Sequence, residues 1–185
     1  IPPGEKVFRA RVKEPLQISG RRVELPSFRV GQPRISQTFL APSYATAEGN
    51  RAYALLVLAE IFGGSTTSQL YRDLVVDQEV ASSASAWFSP DALDYGTFVV
   101  SASPGPGILI KKLETALQAA IKKLLKDGVS QEELKRSVSS MVASSVYARD
   151  SLSAGPNIFG QALSTGRTIL DVESWPDQIK RVTVD

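Results

Sequence analysis

Neither cysteine nor histidine occurs among the 185 residues. No disulfide can form, and the two side chains that most readily hold zinc are missing, so a transition-metal site would need carboxylates alone. Without imidazole there is also no general base for a Ser-His-Asp triad. Serines are numerous, notably Ser82, Ser83, Ser85, Ser139, Ser140, Ser144 and Ser145, yet no Gly-x-Ser-x-Gly elbow is present. Nothing in the spacing of Lys123 or Lys135 favours a Ser-Lys pair, and the hydroxyls are expected to satisfy local hydrogen bonds. Charge of one sign is lacking as well: 21 basic and 19 acidic residues are interspersed and leave +2. That distribution offers no basic field for a nucleic acid to follow. Long apolar runs are absent, since the longest, around Tyr53 to Leu58, stops at Glu60. This is far short of the roughly 20 residues that a helix needs to cross a bilayer. Ile1-Pro2-Pro3 has neither a basic start nor an apolar signal core, and the chain reads as an internal or mature piece of something longer.

What is present is a regular alternation of structure signals. The first forty residues hold five of the eleven prolines and scattered arginines, which predicts an extended linker with a short strand at Arg22 to Leu25 and a boundary near Pro33. Ile35 to Tyr44 reads as a strand ended by Pro42-Ser43. Asn50 is placed to cap a helix whose residues Tyr53, Leu55, Leu56, Val57, Leu58, Ile61 and Phe62 are apolar around most of the circumference, predicting burial on more than one side. Gly63-Gly64 is expected to end it through the left-handed conformation that glycine supplies. A phosphate-cradle reading of Gly63 to Ser65 fails, because no Gly-Lys-Ser/Thr follows and a helix, not a strand, precedes. A second helix is predicted from Thr67 to Val76. Val80 to Phe88 and Thr97 to Ser103 read as an antiparallel pair across a Ser-Pro-Asp turn.

Ile110, Leu113, Leu117, Ile121 and Leu124 recur at helical spacing, with Asp127-Gly128 as the stop. Ser130-Gln131-Glu132-Glu133 has the form of a capping box and opens a helix through Leu134, Val138, Met141 and Val142. Further short helices are expected at Ile158 to Ser164 and Glu173 to Val182. Paired strands with helices gathered between them give an α+β class, with helices packed on a mixed, largely antiparallel sheet.

Candidate site residues are few. Asp73, Asp77 and Glu79 cluster near the end of the second helix, a charge run expected to be solvated. Trp87 and Phe88 could form a peptide-binding wall, although strand alternation favours core packing. Arg72 could anchor a partner helix, face a peptide chamber, or pair with Asp73 or Glu79, the last being the plain expectation for a surface arginine.

The succession Pro42-Ser43-Tyr44, an apolar helix, Gly63-Gly64, Ser68-x-Leu70-Tyr71-Arg72-x-Leu74 and a small-residue strand resembles the second, non-metal domain of the pitrilysin/insulinase-type zinc metallopeptidases, the family of mitochondrial processing peptidase. The resemblance implies the metallopeptidase-domain fold of that family in residues 35–185, with 1–34 as interdomain linker and entry segment and a C-terminal end cut short. It implies no catalytic residue and no metal ligand in this chain, with zinc held by an upstream domain of the same protein. Expected partners are that zinc domain, a homologous partner subunit and an unfolded peptide, with no nucleic acid and no membrane span. Members of the family that orient substrate do so with an arginine and a tyrosine seven residues apart. On this sequence those positions fall on Val75 and Ser82, neither of which can substitute. The implied function is a non-catalytic C-terminal domain of a bacterial zinc protease, forming part of the peptide chamber and the subunit interface, with an inactive scaffold subunit of the same fold as the alternative. The resemblance leaves the compartment open, the bacterial periplasm being favoured over the cytoplasm.

Overall fold

The computed structural model describes residues 15 and 17–184. Strand β1 (Ile35–Pro42) is followed by α1 (Arg51–Gly63), a short α2 (Gln69–Tyr71) that widens into a π-helical turn (Arg72–Asp77), β2 (Ala81–Ser89), β3 (Tyr95–Pro104), α3 (Ile110–Asp127), α4 (Gln131–Tyr147), α5 (Ala154–Ser164), α6 (Ile169–Glu173) and α7 (Trp175–Lys180). The three described strands form one antiparallel sheet in the order β1-β3-β2. The hairpin expected between β2 and β3 is present, and β1 completes the sheet by pairing with β3 along its whole length, Ile35 opposite Ala102 through Pro42 opposite Tyr95.

Strand alternation sorts the side chains. Ala84, Ala86 and Phe88 point to the helix-covered face beside Val100 and Ala102, whereas Ser85 and Trp87 point to the other. The strand therefore separates two adjacent aromatics: Phe88 is buried and stacks near Phe98 with ring centroids 6.3 Å apart, and Trp87 is 41% exposed.

Helix α1 is the hub that its all-round apolar pattern requires. Phe62 enters a cluster with Leu70, Leu74, Val100, Leu113 and Leu117; Val57 and Ile61 join Leu134, Ile179 and Val182; Ala52 and Ala59 pack with Ala41 and Phe88. One helix thus joins the sheet, the α3 layer and the C-terminal helices into a single core. The close approach of α1 to β2 depends on small residues on both sides. A Cβ on Gly63 would stand 2.1 Å from the Ala86 amide nitrogen. The left-handed glycine expected at the end of α1 is not what occurs: Gly64 has φ −76° and stays in the helical region, so Gly63 is required by proximity to the strand and not by its dihedral. Asn50 occupies the N-cap position without a side-chain cap bond.

The second helix also departs from expectation. Only Gln69–Tyr71 is α-helical, and the following turn carries the wider bonding of a π-helix, with the Gln78 N–H reaching the Asp73 carbonyl at 3.0 Å. The wider turn brings Val75 against the same cluster that buries Leu70 and Leu74, which a continuous α-helix would not align. Arg22 to Leu25 form no strand; with no neighbour to pair its backbone, the segment is held instead by Arg22 to Glu24 and by Arg22 to Glu114 on α3. The predicted stop at Gly128 is present, with φ +70°. At Ser130 the box closes as predicted: the hydroxyl accepts from the Glu133 N–H and the Glu133 carboxylate accepts from the Ser130 N–H at 2.8 Å.

Candidate functional site

Val75 and Ser82, the positions that the resemblance matches to a substrate-orienting pair, lie where the π-helical turn runs into β2. The chain reverses there through Glu79, the one described non-glycine residue with positive φ, at +51°. Two bonds close the turn, Gln78 N–H to Asp73 O and Val80 N–H to Leu74 O, both 3.0 Å. Val75 points inward against the core, and Ser82 sits exposed at an irregularity where the β2–β3 register shifts between Ala81 and Ser83. The Ser82 hydroxyl is engaged by the entry segment: Gln32 Nε2 donates to it at 2.6 Å and to the Pro104 carbonyl at 3.0 Å. Neither position presents a cation or a phenol toward open space, and the second is strapped by Gln32.

Beside this turn is a cleft of about 260 Å³ between the π-helical turn, the end of α3 and the start of α4. Arg72, Lys123 and Arg136 line it together with Asp73, Asp77, Asp127 and Glu133. The ion pair expected for Arg72 does not form among the described residues: Asp73 accepts instead from Gln78 Nε2 at 2.8 Å, and the Arg72 side chain stays in solvent. Glu133 is committed to the helix cap and to Gln69, whose amide donates at 2.8 Å. Burial pushes its carboxyl up, but the Ser130 N–H, the Gln69 amide and the Ser130 hydroxyl outweigh that and hold it below the ordinary carboxylate range. Three cations and four carboxylates thus line the cleft together, and no serine, cysteine or histidine is among its lining residues. No group of three or more metal-ligating side chains converges anywhere among the described residues. The donor set therefore does not fit zinc, and no chemical step through a metal is derived for this chain.

A second cluster was not legible in the sequence. Arg167, in the loop between α5 and α6, lies over the Tyr44 ring with its Cζ 3.8 Å from the centroid, pairs with Asp91 at 3.1 Å and donates to the Asp171 carbonyl at 3.1 Å. Trp175 Nε1 donates to the Tyr44 hydroxyl at 2.9 Å, and Tyr53 stands 5.1 Å from the Tyr44 ring. Burial pushes the Tyr44 hydroxyl well above the ordinary phenol range, more than the Trp175 bond and the Arg167 charge lower it. These contacts make the cluster a latch between the end of β1, the β2–β3 turn and the C-terminal helices. Its members are spread over more than a hundred residues; Tyr44, Tyr53 and Asp91 each fell in a local element read from the sequence, but nothing there joined them to Arg167 and Trp175.

Comparison with known proteins agrees with this geometry. Over 101 residues the chain is 30% identical to the uncharacterized zinc protease YmxG of Bacillus subtilis (strain 168), covering 55% of this chain and 24% of that protein. A protease from Helicobacter pylori has the same fold over 85% of this chain and 37% of its own, with a TM-score of 0.74 at 21% identity. A solved inactive peptidase domain from Bordetella parapertussis aligns with 84% of this chain and 81% of its own, with a TM-score of 0.71 at 20% identity. At such identities the structural matches speak for the fold alone. The chain thus spans about a quarter of the curated relative and little more than a third of the Helicobacter protease. Residues 4–141 match the family described as the Peptidase M16 inactive domain, and the chain, an α+β domain, belongs to that family.

Proposed function

We propose that this chain is the non-catalytic C-terminal domain of a bacterial zinc protease, lending wall and contacts to an upstream domain of the same protein that holds the zinc and hydrolyses extended peptides. The observation that carries the reading is the match to the inactive domain, with a zinc protease among its relatives, in a chain that has no imidazole or thiol. In this reading residues 1–34 connect the two domains and residues 35–185 form the inactive one. Gln32 and Arg34, which bond Ser82 and Ser101, and Arg22, which bonds Glu114, support it by fixing the connecting segment on the domain surface. In the same reading this chain belongs to the side of the enzyme that does not supply the substrate-orienting pair, which valine at 75 and serine at 82 support, and a homologous partner subunit supplies it. Arg72 and Trp87 are exposed and stand free to meet peptide or partner, whereas Phe88 serves the core. The compartment assigned with this reading is the periplasm.

The test is made on the full-length protein. Zinc content near one ion per chain and cleavage of an unfolded peptide, both lost when the upstream metal ligands are substituted, are the expected results. A full-length protein that binds no zinc and cleaves no extended peptide, alone or with its partner subunit, overturns the proposal and leaves the scaffold reading in its place. Fractionation of cells checks the compartment in the same preparation.

A further inference from the structure

The residues just ahead of the sheet stand off the domain. From Val23 to Gly31 every hydrogen bond among the described residues is local: the Ser27 carbonyl and hydroxyl accept from the Val30 and Arg29 N–H groups, and Glu24 accepts from Arg22. Arg22 reaches α3 through Glu114, but that ion pair is open to solvent and holds weakly. The next three residues behave differently. Pro33 fixes its own backbone and confines Gln32 to extended conformations, and the two side chains that flank it each reach a serine hydroxyl of the sheet. Gln32 Nε2 donates to Ser82 Oγ at 2.6 Å and to the Pro104 carbonyl at 3.0 Å, and Arg34 Nε donates to Ser101 Oγ at 2.5 Å.

Both hydroxyls hand the bond on to the backbone. Ser82 donates to the Ser103 carbonyl at 3.4 Å and Ser101 to the Ile35 carbonyl at 3.0 Å. A hydroxyl has one proton, so a serine whose proton is committed to a sheet carbonyl presents only lone pairs to the connecting segment and accepts a donor there. The Gln32 amide and the Arg34 guanidinium supply those donors. Backbone pairing ties β1 to β3 alone, whereas the Gln32 amide reaches β2 as well, so three consecutive residues engage all three described strands. We propose that Gln32-Pro33-Arg34 is a clip that ends the movable part of the connecting segment and fixes the direction in which the preceding domain leaves the sheet. Gln32 and Arg34 are positioning residues in this role. The inference rests on the protease reading in one respect, that a domain precedes the connecting segment. Opening the clip moves the pivot from Gly31 to Ile35, and at about 3.3 Å per extended residue the preceding domain then ranges roughly 10 Å further.

Limited trypsin digestion of the full-length protein, with fragments identified by mass, tests the clip. The parent should be cut after Arg29 and resist after Arg34. Gln32→Ala should speed the cut after Arg34 several-fold at an unchanged melting temperature, and Ser82→Ala should speed it less. Ser82→Ala added to Gln32→Ala should change nothing further, because both remove one bond, and Ser82→Thr, which keeps the hydroxyl, should be cut at the parent rate. Small-angle X-ray scattering of the full-length double variant Gln32→Ala, Arg34→Ala should show a larger radius of gyration than the parent. A parent cut after Arg34 as fast as after Arg29 overturns the proposal. So do variants that leave that rate unchanged, and a double variant whose scattering matches the parent's. Neither measurement uses zinc or peptide turnover, so a full-length protein without zinc or activity refutes the protease reading and leaves these results to decide the clip.

Discussion

Replacing Gly63 by alanine sets two effects of opposite sign against each other. Gly63 is the last residue of α1, where alanine is favoured over glycine by at most about 1 kcal/mol, and propensity by itself would expect stabilisation. The new Cβ, however, would lie 2.1 Å from the Ala86 nitrogen and 2.7 Å from the Ala86 Cβ. An ordinary contact is about 3.5 Å, so α1 must withdraw from β2 by over an ångström, and what blocks it is strand backbone, which cannot rotate away. The withdrawal loosens Phe62 and Ala59 on the face that joins α1 to the sheet. Overpacking of this kind costs about 1–3 kcal/mol, and the added loss of contacts brings the gross penalty to about 3–5 kcal/mol, which exceeds the propensity gain. The expected net destabilisation is about 2–4 kcal/mol, seen as a lower urea midpoint at unchanged slope and a melting temperature lower by about 5–15 °C for a chain of this size. Gly160→Ala in α5 is the control: nothing lies within 4 Å of its Cβ, and stability should rise by about 0.5–1 kcal/mol. If Gly63→Ala is as stable as the parent, or more so, the close approach of α1 to β2 does not exist as described.

The Arg167–Asp91 pair, with side chains 11% and 24% exposed, should respond to Arg167→Ala with a loss of about 2–3 kcal/mol in chemical denaturation, less than a fully buried pair. Arg167→Lys, which keeps the charge but cannot serve Asp91, the Asp171 carbonyl and the Tyr44 face together, should fall between the two. Glu133 and Asp171 both have lowered pKa values in the folded state; burial opposes the shift at Glu133 but is outweighed by bonds from Ser130 and Gln69, and at Asp171 the Thr168 N–H is the chief cause. Their contribution is therefore fully present above the unfolded carboxylate pKa of roughly 4 and is lost as pH falls through the lower folded values, and Ser130→Ala, which removes the hydroxyl bond but keeps the N–H bond to Glu133, should reduce the Glu133 share of that slope in a plot of urea midpoint against pH and leave the Asp171 share. Glu79→Gly relieves a left-handed residue at the cost of unfolded-state entropy, and a rise of about 0.5–1 kcal/mol is expected in thermal melts.

Much of the architecture was legible before any coordinates. The recurrence of Leu113, Leu117 and Ile121 specified α3, and Ser130 with Glu133 marked the start of α4 to the residue. The apolar residues from Tyr53 to Phe62, interrupted by Glu60 alone among charged residues, required a helix buried on several sides, and α1 touches all three core clusters. These features depend on neighbours within a turn or two, where the spacing of residues on the chain fixes their spacing in space. The π-helical turn was missed because Leu70, Leu74 and Val75 fit an α-helix equally well until the third must face the same core. The Arg22 to Leu25 strand was misjudged because alternation alone supplies no partner for its backbone.

The want of histidine and cysteine leaves carboxylates alone for any metal in this chain, and strand alternation favours core packing at the Trp87–Phe88 end of β2, which Phe88 follows and Trp87, 41% exposed, does not. Local composition and period suffice for such statements because they concern what a residue is and which way its neighbours force it. That Gly63 is needed by Ala86, that Arg167 reaches Asp91 across 76 positions and that β1 pairs with β3 were settled only on folding. Each is a contact between distant parts of the chain, and the energy that selects it comes from how the whole core closes.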